Sequence, residues 1–185
     1  MRSLSLLICL AVAACASGPS VTFGAKIYRI DVDNYYSIAE ASVFAAAGGP
    51  TVIQGSPRGG WAPNEVAAQM RLPAHLNPRI VTPVEKGRPG LRLVMVFSPT
   101  VRATSEQVCA GEARGAEAGE TMRVFGAYCT GERRVISEAI LETAGSPQPG
   151  DPEFASAMSQ LVNALLPVVA PADRDGRDCV RPGCG

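Results

Sequence analysis

The segment Leu91-Arg92-Leu93-Val94-Met95-Val96-Phe97 constrains the fold more than any other stretch of the chain. Apart from Arg92 it is apolar on both faces, so a strand here has no side left for water. Such a strand belongs in the middle of a sheet that is covered above and below. Ser98-Pro99 stops it, because proline has no amide to donate to a ladder.

The neighbours of that strand are legible nearby. Met122 to Cys129 and Arg134 to Leu141 flank Thr130-Gly131, which reads as a hairpin. Val135, Ile136, Ala139 and Ile140 also recur at helical spacing, so the second run has a helical alternative. The adjacent turn and the leading β-branched residues favour a strand. Ala25 to Val32 alternates, with Ile27 and Arg29 on one side and Tyr28, Ile30 and Val32 on the other, as in a strand with one buried face. Thr51–Gln54 and Arg79–Pro83 are shorter strand candidates.

Helices are announced by their ends. Ser37-Ile38-Ala39-Glu40 fits a capping box, opening an alanine-rich helix that runs to about Ala47 and stops at Gly48-Gly49-Pro50. Pro63 and Glu65 suit the first turn of a second helix, with Val66 and Met70 on its buried stripe and Pro73 at its end. Thr104-Ser105-Glu106-Gln107 starts a short helix carrying Cys109. Asp151-Pro152-Glu153 begins a longer one, and Phe154, Met158, Leu161, Val162, Leu165 and Leu166 give it one wide apolar face. Residues 110–120, rich in Gly, Ala and Glu, read as a mobile loop. The whole predicts an α+β fold over residues 25–167: a single two-layer domain, with a mixed or antiparallel sheet and helices on one face.

At the N-terminus Arg2 precedes an apolar run from Leu4 to Val12, followed by Ala13-Ala14-Cys15. That is the layout of a secretory signal. The run is too short to cross a hydrocarbon core, which needs roughly 20 helical residues. Val12-Ala13-Ala14-Cys15 resembles the lipobox of bacterial lipoproteins. The resemblance implies that residues 1–14 are a signal peptide. It also implies that the Cys15 sulfur carries a diacylglycerol and its amine a further acyl chain such as palmitate. Residues 15–24 then form the lipidated cysteine and its tether. Two or more acyl chains hold a protein stably to a bilayer. Ala16, where an Asp would signal retention at the inner membrane, resembles an outer-membrane address in enterobacterial lipoproteins. The expected location is the cell envelope, facing the periplasm, with the outer membrane favoured over the inner.

With Cys9 in the leader and Cys15 acylated, Cys109, Cys129, Cys179 and Cys184 remain. An even count in an exported chain implies disulfides. Of three possible connectivities the local one, Cys109–Cys129 with Cys179–Cys184, is preferred. A four-cysteine zinc site needs paired C-x-x-C spacings that are absent, so no metal and no cofactor is expected. Residues 168–185 read as a polar tail pinched by its own cysteines.

Lys and Arg together number 17, matched by 17 Asp and Glu. The pair Arg133-Arg134 is isolated, and nothing resembles the basic patch that nucleic acid requires. His75 is the single histidine and the only obvious base with a pKa near neutrality. No G-x-S-x-G elbow accompanies it; Ser56 is followed by Pro57, which removes an amide that an oxyanion hole would use. Gly55 to Gly60 leads into Trp61 and Ala62, not the Lys-Ser/Thr of a phosphate-binding loop. Asp31 and Asp33 lack the glycine and distal glutamate of a calcium loop.

The expectation is therefore a non-catalytic, membrane-anchored envelope lipoprotein of interaction or assembly type. Its partners are the bilayer, through Cys15, and an unidentified envelope protein or polymer. A small-ligand-binding module of the periplasm is the alternative. Arg58, Trp61, Tyr35 and Tyr36 are the candidate binding residues.

Overall fold

The computed structural model describes residues 24–87, 89–100 and 102–169. The signal peptide, Cys15 and the expected Cys179–Cys184 pair lie outside the described residues. Six strands form one mixed sheet: β1 (Lys26–Val32), β2 (Pro50–Gln54), β3 (Thr82–Pro83), β4 (Arg92–Phe97), β5 (Arg123–Thr130) and β6 (Arg134–Glu142). Four helices accompany it: α1 (Ile38–Ala46), α2 (Pro63–Ala68), α3 (Ser105–Cys109) and α4 (Pro152–Leu165). The strand order is β1-β6-β5-β4-β2-β3. Neighbours run antiparallel from β1 through β4, and parallel from β4 through β2 to β3. The α+β expectation holds, and the stretch 134–142 is a strand.

Every residue of β4 is buried, as its two-sided apolar pattern requires. Leu93, Met95 and Phe97 point into a core shared with α1, α2 and α4. Val94 and Val96 point the other way, toward Val52, Phe125, Ala127 and α3. Helices thus cover both faces. α3 breaks the expected one-sided arrangement because the Cys109–Cys129 disulfide fastens it to the back of β5. Arg92 also faces that side, and its guanidinium donates to the carbonyls of Gly90, Cys109, Gly131 and Glu132. A buried cation spread over four carbonyl dipoles avoids the cost of an unpaired charge. That is how arginine fits into an otherwise apolar strand.

On the main face, Phe154, Met158, Leu161, Val162 and Leu165 of α4 are buried, each contributing about 1.5–3 kcal/mol relative to exposure. Gly126 lets α4 approach: a Cβ there would meet Leu165 Cδ1 at 2.8 Å. Ser137 Oγ donates to Leu165 O at 2.6 Å and ties the end of α4 to β6. Phe44 of α1 meets Tyr128 of β5 edge to face at 5.3 Å between ring centres.

Three local expectations need correction. Ser37 does occupy the N-cap of α1, with extended backbone, but its side chain accepts no capping hydrogen bond. Among the described residues the reciprocal pair forms at α3, where Gln107 N donates to Thr104 Oγ1 and Thr104 N donates to Gln107 Oε1. In β1 the alternation breaks. The register against β6 slips between Tyr28 and Asp31, and Arg29 adopts a φ of 51°, the mark of a β-bulge. The extra residue returns Val32 to the face of Ile27, while Tyr28 packs on the opposite core and Ile30 is exposed.

Residues 110–120, expected to be a mobile loop, are instead laid along the upper end of the sheet. Ala116 N donates to Phe97 O, Ser56 N to Ala116 O and Ala118 N to Ser56 O. Ala113 and Ala118 are buried. Gly115 passes so close that a Cβ on it would lie 2.3 Å from Gln54 O. Composition suggested mobility, yet small side chains are also what lets a backbone lie flat on another.

Candidate functional site

The structure scatters the four candidate binding residues. Strand β1 runs opposite to β2, so Tyr35 and Tyr36, which follow β1, emerge at the other end of the sheet from Arg58 and Trp61, which follow β2. Tyr36 is 4% exposed and its hydroxyl donates to Pro167 O at 2.9 Å. Burial raises its pKa to about 12. It is a core residue that anchors the end of α4 and presents no surface to a ligand. Tyr35 is 74% exposed, and the Arg134 guanidinium lies 5.2 Å from its ring centre. Trp61 is half-buried at the margin of the main core, with Nε1 donating to Arg58 O at 3.2 Å. Arg58 itself is exposed, and its neighbour Gly59 donates its N–H to Glu117 Oε1. No single cavity joins these side chains among the described residues.

His75 lies in the irregular segment between α2 and β3. Burial lowers its pKa from the ordinary 6.5, and its Nε2 is enclosed with no hydrogen-bond partner among the described residues. No serine hydroxyl or thiol is therefore bonded to that nitrogen. Cys109 and Cys129 are consumed by their disulfide. Asp31 and Asp33 flank a small polar recess with Ser105, Glu106 and Glu138. There the Arg29 guanidinium meets the Glu138 carboxylate at 2.9 Å and lies over the Phe125 ring. Burial raises the Glu138 pKa, with Arg29 opposing the rise. Among the described residues, no group of three or more His, Cys, Asp or Glu side chains is placed to hold a metal.

A larger concavity than that recess lies at the β2–β3 margin. β3 pairs with β2 only at Pro50 and Thr51, and one further bond runs from Val84 N to Thr51 O. Beyond Val84 no further backbone hydrogen bond joins this segment to β2. A groove of about 700 Å³ opens between Ile53 and Gln54 of β2, Pro63 and Asn64 at the start of α2, and Pro83 to Lys86. Its walls are mostly apolar, with Glu85 and Lys86 on one side. Successive residues of a strand turn their backbone groups to opposite sides. The carbonyls of Gly49 and Thr51 face β3, so the N–H and C=O of Ile53 face the groove. No hydrogen bond joins either of them to the 84–86 segment. Gln54, also on the wall, has a buried Nε2 with no hydrogen-bond partner among the described residues.

Sequence reading passed over this groove. Thr51–Gln54 was legible as a strand and Arg79–Pro83 as another, but nothing in either run shows that their pairing ends after two residues. The signal within reach was Pro83 itself, which cannot donate to a neighbouring strand. Comparison with protein-family models, with curated proteins and with solved structures finds no match to this chain.

Proposed function

We propose that this chain is a membrane-anchored lipoprotein of the bacterial envelope, whose folded domain binds another envelope component and carries out no catalysis. The observation that carries the reading is Val12-Ala13-Ala14-Cys15 at the end of a short apolar run. That motif supplies both an address and an anchor. The Cys109–Cys129 bond supports it, because disulfides persist in oxidising compartments. The solitary His75, with its unpartnered Nε2, supports the non-catalytic half, since a nucleophile needs a base within hydrogen-bonding reach.

A small-ligand-binding module of the periplasm is the second reading. The groove beside β2 has the volume of a ligand pocket, within the range of about 300–1,000 Å³. It lies away from the tyrosines, so that reading now rests on Ile53, Pro83 and Val84.

The anchor is tested by feeding cells an alkyne-bearing palmitate and fractionating their membranes. Wild-type protein takes the label and sediments with the outer membrane; Cys15→Ala takes none and leaves the membrane fraction or stays uncut. A wild-type chain without label, or a labelled Cys15→Ala chain, overturns the proposal.

A further inference from the structure

We propose that Arg92 is a positioning residue for the Cys109–Cys129 disulfide. It seats the two thiols together before they are oxidised, and so selects this pairing from the three that four cysteines allow. The inference goes beyond the interaction reading and takes from it only the oxidising setting.

Arg92 grips the chain on both sides of the bond. In the β4–β5 ladder it stands directly across from Cys129. Its Nη2 donates to the carbonyl of Cys109 itself, at the end of α3, at 2.5 Å. The same guanidinium donates to Gly131 O and Glu132 O, in the turn that follows β5. One planar cation therefore holds α3 and the β5–β6 turn, and the disulfide joins α3 to β5. Arg92 is 2% exposed, so water has no access to replace these bonds. Lysine, a point charge on a flexible stem, lacks the rigid fork that spans them. None of the contacts involves sulfur, so all of them can form in the reduced chain.

The oxidation itself is thiol–disulfide exchange. One cysteine thiolate attacks a sulfur of an external disulfide and expels the first of its thiolates, leaving a mixed disulfide. The second cysteine thiolate then attacks the protein-bound sulfur, forms the Cys109–Cys129 bond and expels the other. Two electrons pass to the oxidant, and the two protons given up by the cysteines finish on its released thiols. Only the second displacement is intramolecular, and it gains from sulfurs that are already held together. Arg92 supplies that geometry by fixing the backbone of Cys109 against the strand that carries Cys129.

The test equilibrates the purified full-length chain in detergent with reduced and oxidised glutathione. Alkylation and mass spectrometry give the effective concentration of the two thiols, and circular dichroism follows the fold of each reduced chain. Arg92→Lys should lower the effective concentration by about tenfold, the scale of hydrogen bonds made by a charged group. Arg92→Met should lower it further, with disulfides to Cys179 or Cys184 appearing; if that variant does not fold, Arg92→Lys decides alone. Ser137→Ala is the control. It removes a buried hydrogen bond from the opposite face of the sheet, destabilises the fold, and should leave the value unchanged. Three results overturn the proposal: an Arg92→Lys chain that matches the wild type, an equal fall in Ser137→Ala, or a wild-type chain that unfolds on reduction. None of these bears on acylation of Cys15, so failure here and failure of the anchor are separately visible.

Discussion

Strand β1 runs for seven residues along one edge of the sheet, and β3 runs for two along the other. The longer edge is closed to further pairing by its own irregularity. A bulge at Arg29–Ile30 bends it, and Lys26, Arg29 and Asp31 place charges along it. Bulges and charges are the usual defences of an exposed edge. The short edge has a different construction. β3 covers Pro50 and Thr51, the 113–118 segment covers the far end of β2, and Ile53 is left open between them. The difference teaches that an open edge in this molecule is a local and bounded feature, confined to one residue and walled on both sides. A strand left open by neglect would have no walls.

The contrast predicts how the two edges respond to mutation. The largest effect is expected from Cys109→Ser with Cys129→Ser. Closing a loop of 20 residues is worth about 3 kcal/mol. That loss should appear in urea denaturation followed by the fluorescence of Trp61. The bond sits between the edges, so amide exchange should accelerate on both. If only the β2 side loosens, the disulfide holds the 110–120 segment and not the domain.

Gly115→Ala should come next, at about 1–3 kcal/mol for a forced steric clash, because its Cβ would meet the backbone of Gln54 and Gly55. Hydrogen exchange should quicken at the β2–β4 end, with β1 unchanged. Equal loosening of β1 would show that the edges are one cooperative unit.

Glu138→Gln should have the smallest effect and touch only the β1 side. Burial raises the Glu138 pKa in the folded protein above its ordinary 4.5. The folded state then binds more proton than the unfolded state between those two values, so stability falls as pH rises through that window. Above the raised pKa the loss is complete and constant. The substitution removes the titrating group, so this falling limb should flatten in a series of thermal melts. An unchanged limb would assign the pH dependence to another carboxylate.

Much of the fold was legible because burial leaves a periodic trace. β4, the β5–β6 hairpin and α4 each carried that trace at full length, and each was read correctly. The cap of α1 was half legible: Ser37 marks the boundary, but its hydroxyl is unused, because side-chain orientation depends on what packs around it. The 110–120 segment was misread for a related reason. Gly and Ala confer mobility on a solvated chain and close approach on a packed one, and composition does not distinguish the two. Of the four candidate site residues, Tyr36 turned out to be core, since a lone aromatic after a turn carries no label for inside or outside.

The sequence by itself marked where β4, the hairpin and α4 would lie and that β4 would be central, and it favoured the pairing of Cys109 with Cys129, 20 residues away. These are matters of periodicity and short-range closure, and both are written along the chain. Only the tertiary structure decided that β1 slips its register at Arg29, that α3 sits behind the sheet, and that Ile53, paired with Met95 on one side, has no β3 partner on the other. Each of those depends on where a distant segment comes to rest, and a pairing that stops early leaves no mark in the residues it abandons.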